Sequence, residues 1–186
     1  MIGSRSRSLA LWALAAAAMS LAAVMLAISA RAATAAPKSK FPSRHALLAS
    51  HELWATIDAC NPPRYPNRVG VRGSMPGDGR AHDKLYMSFR LQYLDTAMNV
   101  WVDVVKGATP KFVSVGPAAT ARQGGTSFQL APVPEKPAVT MRGVASFQWR
   151  RGKQVLLSAT RVTTAEHKSL AGAEPKDFSA ATCLIG

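Results

Sequence analysis

The sequence predicts an all-β domain of two packed sheets behind a single apolar export helix, and three observations carry that reading. From His51 onward, short runs rich in Val, Phe, Tyr, Trp and Thr are separated by Gly and Pro clusters, the signature of successive strands. Residues 84–95, KLYMSFRLQYLD, alternate with a period of two rather than 3.6. Residues 9–30 carry no charge and follow a short head containing Arg5 and Arg7.

The apolar run comes first. A charge-free stretch behind a positive head inserts into a membrane with the head on the cytoplasmic side, so the rest of the chain crosses. The run is long enough to persist as an anchor. Ten of its 22 residues are Ala and only five are Leu, however, which makes it weakly apolar for its length. Small residues at Ala30 and Ala32, and again at Ala33 and Ala35, have the spacing a signal peptidase accepts. Residues 1–35 are therefore expected to be a signal peptide, with an N-terminal membrane anchor as the alternative. The protein is expected to be secreted or held at the cell surface. Residues 36–50 mix small, basic and Pro residues without periodicity and read as a flexible linker to a domain at 51–186.

Within that domain the first expected strand is 53–60, LWATIDAC, ended by Asn61-Pro62-Pro63 because proline cannot donate to a ladder. Residues 68–75 follow, with Val69, Val71, Gly73 and Met75 on one side. Pro76-Gly77-Asp78-Gly79 has the residues of a turn. In 84–95, Leu85, Met87, Phe89, Leu91 and Tyr93 face a core, while Tyr86, Ser88, Arg90, Gln92 and Leu94 face mostly water. Residues 98–105 put Val100, Val102 and Val104 opposite Trp101 and Asp103. Short strands are expected at 111–115 and 126–130, the latter closed by Pro132, Pro134 and Pro137, which imply an edge or a long crossing.

A hairpin is expected from 139–150 and 154–164, joined through Arg151-Gly152-Lys153. Met141, Ala145, Phe147 and Trp149 point one way on its first strand, with Val155, Leu157 and Ala159 facing them. Residues 165–177 form a polar loop, and 178–185 a terminal strand carrying Cys183. This many strands in one sheet would leave a face exposed, which favours two packed sheets. One sheet rolled into a small barrel is the alternative, since alternation cannot distinguish the two.

Two cysteines in an oxidising compartment are most simply one disulfide. Cys60 lies early in the domain and Cys183 three residues from its end, so the bond would tie the first strand to the last. Closing so large a loop is worth about 5 kcal/mol on chain-entropy grounds.

The order of a strand ending in Cys60, an FRLQY strand, a WRRGK hairpin and a closing SAATC strand resembles small secreted bacterial proteins of immunoglobulin-like architecture. Trp149 to Cys183 carries most of the likeness. The resemblance implies an immunoglobulin-like two-sheet β-sandwich and brings no catalytic or ligand residues with it. Its cysteines depart from antibody domains, where the two lie much closer in sequence with a Trp between them.

No local motif supplies chemistry. His82 adjoins Asp83, His51 adjoins Glu52 and His167 adjoins Glu166, but adjacent residues in an extended chain point to opposite faces, so neither a metal site nor an oriented base follows. HExxH, GxSxG and Gly-rich phosphate loops are absent from the sequence. No metal or cofactor is expected. An enzyme would have to assemble distant His residues with Asp58, Asp95 or Asp103, and this is the alternative to a non-enzymatic binding or structural module.

The chain has 23 Lys and Arg against 10 Asp and Glu, a formal net charge of +13. Outside the membrane that excess favours an anionic envelope polymer or a lipid surface over nucleic acid, and a protein partner stays open. The densest cluster, Arg150, Arg151 and Lys153, sits at the hairpin tip and is the candidate contact for such a partner. Tyr86 and Trp101 lie off the apolar faces of their strands and form the candidate aromatic platform.

Overall fold

The computed structural model describes residues 40–105, 111–131, 137–167 and 170–186. The expected export segment at 9–30, and with it Pro132 and Pro134, lies outside the described residues. Among these residues no helix is long and apolar enough to cross a membrane.

Nine strands form two sheets: β1 (Trp54–Cys60), β2 (Arg68–Met75), β3 (Arg80–Asp95), β4 (Val100–Asp103), β5 (Val113–Ala118), β6 (Arg122–Gln129), β7 (Val139–Arg151), β8 (Gln154–Val162) and β9 (Cys183–Ile185). The smaller sheet has the order β1-β2-β6. The larger runs β4-β3-β7-β8, with β5 also pairing β3 and β9 also pairing β7. All the strand ladders are antiparallel. The all-β two-sheet sandwich expected from the alternation is the architecture observed.

The core lies between the sheets because each strand turns its apolar parity inward. Ala55, Ile57, Val69, Val71 and Met75 of the small sheet are buried, as are Leu85, Met87, Leu91, Met141, Ala145, Phe147 and Trp149 of the large one. The Trp149 indole is sealed in this core and donates through Nε1 to the Pro76 carbonyl at 2.9 Å, so its one polar atom is satisfied. Gly143 faces inward opposite Leu91. A Cβ there would lie 2.7 Å from both Thr163 Cγ2 and Val71 Cγ1, so only glycine lets the sheets approach at that point.

The free edge of β1 is covered by the C-terminal segment. Ile57 and Ala180 exchange both backbone hydrogen bonds, at 2.9 and 3.0 Å, and the Glu174 and Thr164 N–H groups donate to the carbonyls of Asp58 and Ala55. An edge that could template association is thereby occupied. Cys60 ends β1 in the small sheet and Cys183 opens β9 in the large one; their disulfide therefore joins the two layers as well as the two ends of the domain.

Several elements differ from the sequence expectation. Strand β3 begins at Arg80, so His82 and Asp83 are strand residues. The polar Asp83 interrupts the apolar alternation while occupying a buried position, which hid the first turn of the strand. Strand β5 runs on through Gly116 and Pro117, and β6 starts at Arg122 through Gly124 and Gly125. Pro117 is tolerated because β5 has only one strand partner, β3. The terminal strand is only Cys183–Ile185, since the chain before it follows β1 instead.

A register shift between Trp149 and Arg150 places Val155 opposite Arg150, exposed, whereas Leu157 and Ala159 do face Trp149 and Phe147. The stretch read as a linker holds a short helix, α1 (Arg44–Leu48). Its N-cap Ser43 accepts from the Ala46 N–H at 3.1 Å, and Leu47 packs into the core.

Candidate functional site

The outward face of the large sheet brings Lys84, Arg90, Arg142 and Arg150 together with the rings of Tyr86 and Trp101. Register sets this arrangement: directly opposed residues point to the same side of the sheet. Tyr86 is opposite Gln148, Ser88 opposite Ser146, Arg90 opposite Val144 and Gln92 opposite Arg142 across β3 and β7. Across β3 and β4, Gln92 opposes Asp103 and Leu94 opposes Trp101. Lys84 and Arg150, two like charges, are also directly opposed.

At one end of this face Arg142 donates through Nε to Gln92 Oε1 at 2.8 Å. Gln92 Nε2 in turn donates to Asp103 Oδ1 at 2.8 Å, and Arg90 Nε donates to the same oxygen at 3.1 Å. The Arg142 guanidinium carbon lies 4.3 Å from the centroid of the Trp101 ring. One carboxylate thus answers two arginines, one directly and one through an amide. Burial and, secondarily, the positive charge of Arg90 lower the pKa of Arg142, so the neighbouring guanidinium groups repel one another.

At the other end Arg150 donates through Nε and Nη2 to Gln148 Oε1. Its guanidinium carbon stands 4.3 Å from the Tyr86 ring centroid and 5.1 Å from that of Phe112. No described carboxylate pairs with it. Tyr86 and Gln92 are six positions apart on β3, about 20 Å of extended chain. Between them lie the small side chains of Ser88, Ser146 and Thr160 and then Arg90 beside the apolar Val144 and Val162. The face therefore reads as two arginine–aromatic ends joined by a floor of small polar and aliphatic side chains, with Lys84, Arg90, Arg142 and Arg150 against Asp103.

The three basic residues of the hairpin tip do not act together. Arg150 joins the face just described. Its neighbour Arg151 turns the other way and donates to Asp83 Oδ1 at 2.7 Å and Oδ2 at 2.9 Å. Lys153 is exposed in the turn. The candidate aromatics Tyr86 and Trp101 are each half-buried, with an arginine over the ring, so they orient cations as well as offering a platform. Arg90, Arg142, Gln92 and Gln148 were missed from the sequence. Their shared parity along β3 and β7 was visible, but the register bringing Gln92 opposite Arg142 was not.

The candidate acid and base residues are dispersed in role. Asp58 pairs with Arg72 at 2.8 Å, Asp103 with Arg90, and Asp95 Oδ1 caps the turn after β3 by accepting from the Ala97 and Met98 N–H groups. His51 is exposed. His82 is also exposed and lies 3.3 Å from Asp83. Asp83, fully buried, is held below the usual carboxylate range by its hydrogen bonds to Arg151, whereas burial pushes the neighbouring Asp78 up. Among the described residues no group of three His, Cys, Asp or Glu could hold a metal ion.

His167 stacks on Trp54 with ring centroids 4.2 Å apart, and its Nε2 is 2.9 Å from Thr164 Oγ1. Burial lowers its pKa. The neutral imidazole is thus the form the fold favours, and its contribution is present above the unfolded histidine value near 6.5 and lost as pH falls from there through the folded value. Thermal stability is expected to fall between pH 7.5 and 5.5, and His167→Gln should flatten that dependence. Melting curves across this range check it, and an unchanged slope in the variant contradicts it.

Fold and face together define a basic, disulfide-linked β-sandwich that presents arginines on aromatic rings from one sheet. The chain matches no family model, no curated protein and no solved structure.

Proposed function

We propose that this protein is an exported, non-enzymatic module of immunoglobulin-like architecture. It would hold an anionic polymer of the cell envelope on the outer face of its large sheet. One observation carries the reading: Lys84, Arg90, Arg142 and Arg150 share a face with Asp103 as their carboxylate, and two of them are held by neutral aromatic rings and amide oxygens. Pairing with carboxylates would have cancelled these charges, whereas rings and amides fix the side chains and leave the charge in place. An incoming anion relieves the repulsion between Arg90 and Arg142.

The elongated shape suits a polymer. The two arginine–aromatic ends are about 20 Å apart along β3, a span that a chain carrying repeated acidic groups bridges with a single molecule. The export segment at residues 1–35 supports an extracellular polymer over nucleic acid, and the disulfide fits an oxidising setting.

Binding to polygalacturonate, measured by titration calorimetry at low salt, tests the proposal. Arg142→Ala and Arg150→Ala are each expected to weaken binding about fivefold to tenfold, with affinity falling as salt rises. Equal affinity in wild type and both variants rejects the face. Binding to anionic vesicles in preference to the polymer would reassign it to a lipid surface.

A further inference from the structure

A second site lies on the outer face of the small sheet, away from the basic face. Here β1, β2, β6 and the C-terminal segment line an open pocket of about 360 Å³, within the range of small-ligand sites. Its lining is polar: Asp58, Arg68 and Arg72 from β1 and β2, Thr126 and Ser127 from β6, and Glu174 from the C-terminal segment.

The pocket is built rather than incidental. Asp58 is buried and leans across β2 at Gly70, where a Cβ would come within 2.3 Å of Asp58 Oδ1; glycine at that position is what admits the carboxylate. Asp58 Oδ2 accepts from Arg72 Nε at 2.8 Å, which fixes the guanidinium with its terminal nitrogens beyond the pair. Glu174 is pinned by its backbone, whose N–H donates to the Asp58 carbonyl at 2.8 Å. Arg68 is held with its guanidinium carbon 3.8 Å from the centroid of the Tyr65 ring.

Two of these charges stay apart. Arg68 and Glu174 line the same pocket, yet among the described residues neither forms an ion pair with the other or with any third group. Held at a separation on different elements, they present a cation and an anion to whatever enters between them. A simple anion satisfies Arg68 and is repelled by Glu174, and a simple cation meets the reverse. Only a molecule carrying both charges satisfies both walls, with the Ser127 hydroxyl, opposite Gly70 on the same side, available to its remaining polar atoms.

We propose that this pocket binds a small zwitterion, an amino-carboxylate whose carboxylate faces Arg68 and Arg72 and whose ammonium faces Glu174. The pocket does not depend on the basic face, so either proposal can fail alone.

The test uses the protein labelled with ¹⁵N and titrated with glycine, β-alanine and γ-aminobutyrate, a series of increasing charge separation, beside acetate and methylammonium. The expected result is saturable movement of the Gly125, Thr126 and Gly172 amide resonances with at least one member of the series. Acetate and methylammonium should move them far less at the same concentration. Arg68→Ala and Glu174→Gln, both at positions that are not fully buried, should each weaken that binding about tenfold. The proposal is overturned if no member of the series moves these resonances, if acetate binds as tightly as the best of them, or if both folded variants bind like wild type.

Discussion

Replacing Cys60 and Cys183 together by Ala is expected to cost about 2–5 kcal/mol of stability and to lower the melting temperature by about 10 °C. The bond closes a loop with a sequence separation of 123, almost the whole domain, so its loss returns a large conformational freedom to the unfolded chain. The folded state has little to replace it with. Strand β9 is three residues long and pairs with β7 only through Val139, Thr140 and Met141. Cys183 is its one buried residue, whereas Leu184 is exposed. Without the bond, β9 should fray ahead of global unfolding, and the amides of residues 183–185 should exchange faster while those of β7 stay protected. Guanidinium denaturation of wild type and variant checks the size of the effect. Coincident midpoints would contradict it.

Asp83→Ala is the second large effect, a loss of about 2 kcal/mol. Asp83 is fully buried at the inner side of β3 and receives two hydrogen bonds from Arg151 across the hairpin end. Removing it leaves a cavity and changes the surroundings of Asp78 in the β2–β3 turn, whose Oδ1 accepts from the Arg80 N–H at 2.8 Å. Arg151 itself is half exposed and regains water, which keeps the cost below that of a fully enclosed pair.

The pH dependence has a definite sign. The folded pKa of Asp83 is depressed, so its contribution is present above the unfolded aspartate value near 3.9 and is lost as pH falls through the folded value. Asp78, raised by burial, works in the opposite sense: its contribution is present below that unfolded value and lost as pH rises through its folded one. The difference in stability between wild type and Asp83→Ala should therefore be full at neutral pH and shrink in acid. Urea titrations at pH 7 and pH 3 measure it, and a difference that is absent at pH 7 would rule the account out.

The strands were readable wherever apolar residues alternated with polar ones or glycine in the sequence, as in β2, the second half of β3 and β7. The alternation failed to mark ends where a polar residue was buried. Asp83 is such a case, because its partner Arg151 is 68 residues away and nothing local announces the pair. Glycines and Pro117 signalled turns but sit inside β5 and β6, strands with a ladder on one side that tolerate them.

The same limit applied to the candidate site. Tyr86 and Trp101 could be placed on an outward face from parity alone. Arg150 and Arg151 looked equivalent at the hairpin tip until the structure sent them to opposite sides. The link from Arg142 through Gln92 to Asp103 depends on the pairing of three strands, and a single sequence does not encode that register legibly.

The most direct measurement is a map of backbone amide shifts on titrating the labelled domain with an acidic polysaccharide. The account predicts shifts concentrated on the outward positions of β3, β4 and β7, at Tyr86, Arg90, Gln92, Trp101, Arg142 and Arg150. Shifts spread evenly over the basic residues of the whole surface, or absent from these six while the polymer binds elsewhere, would contradict it.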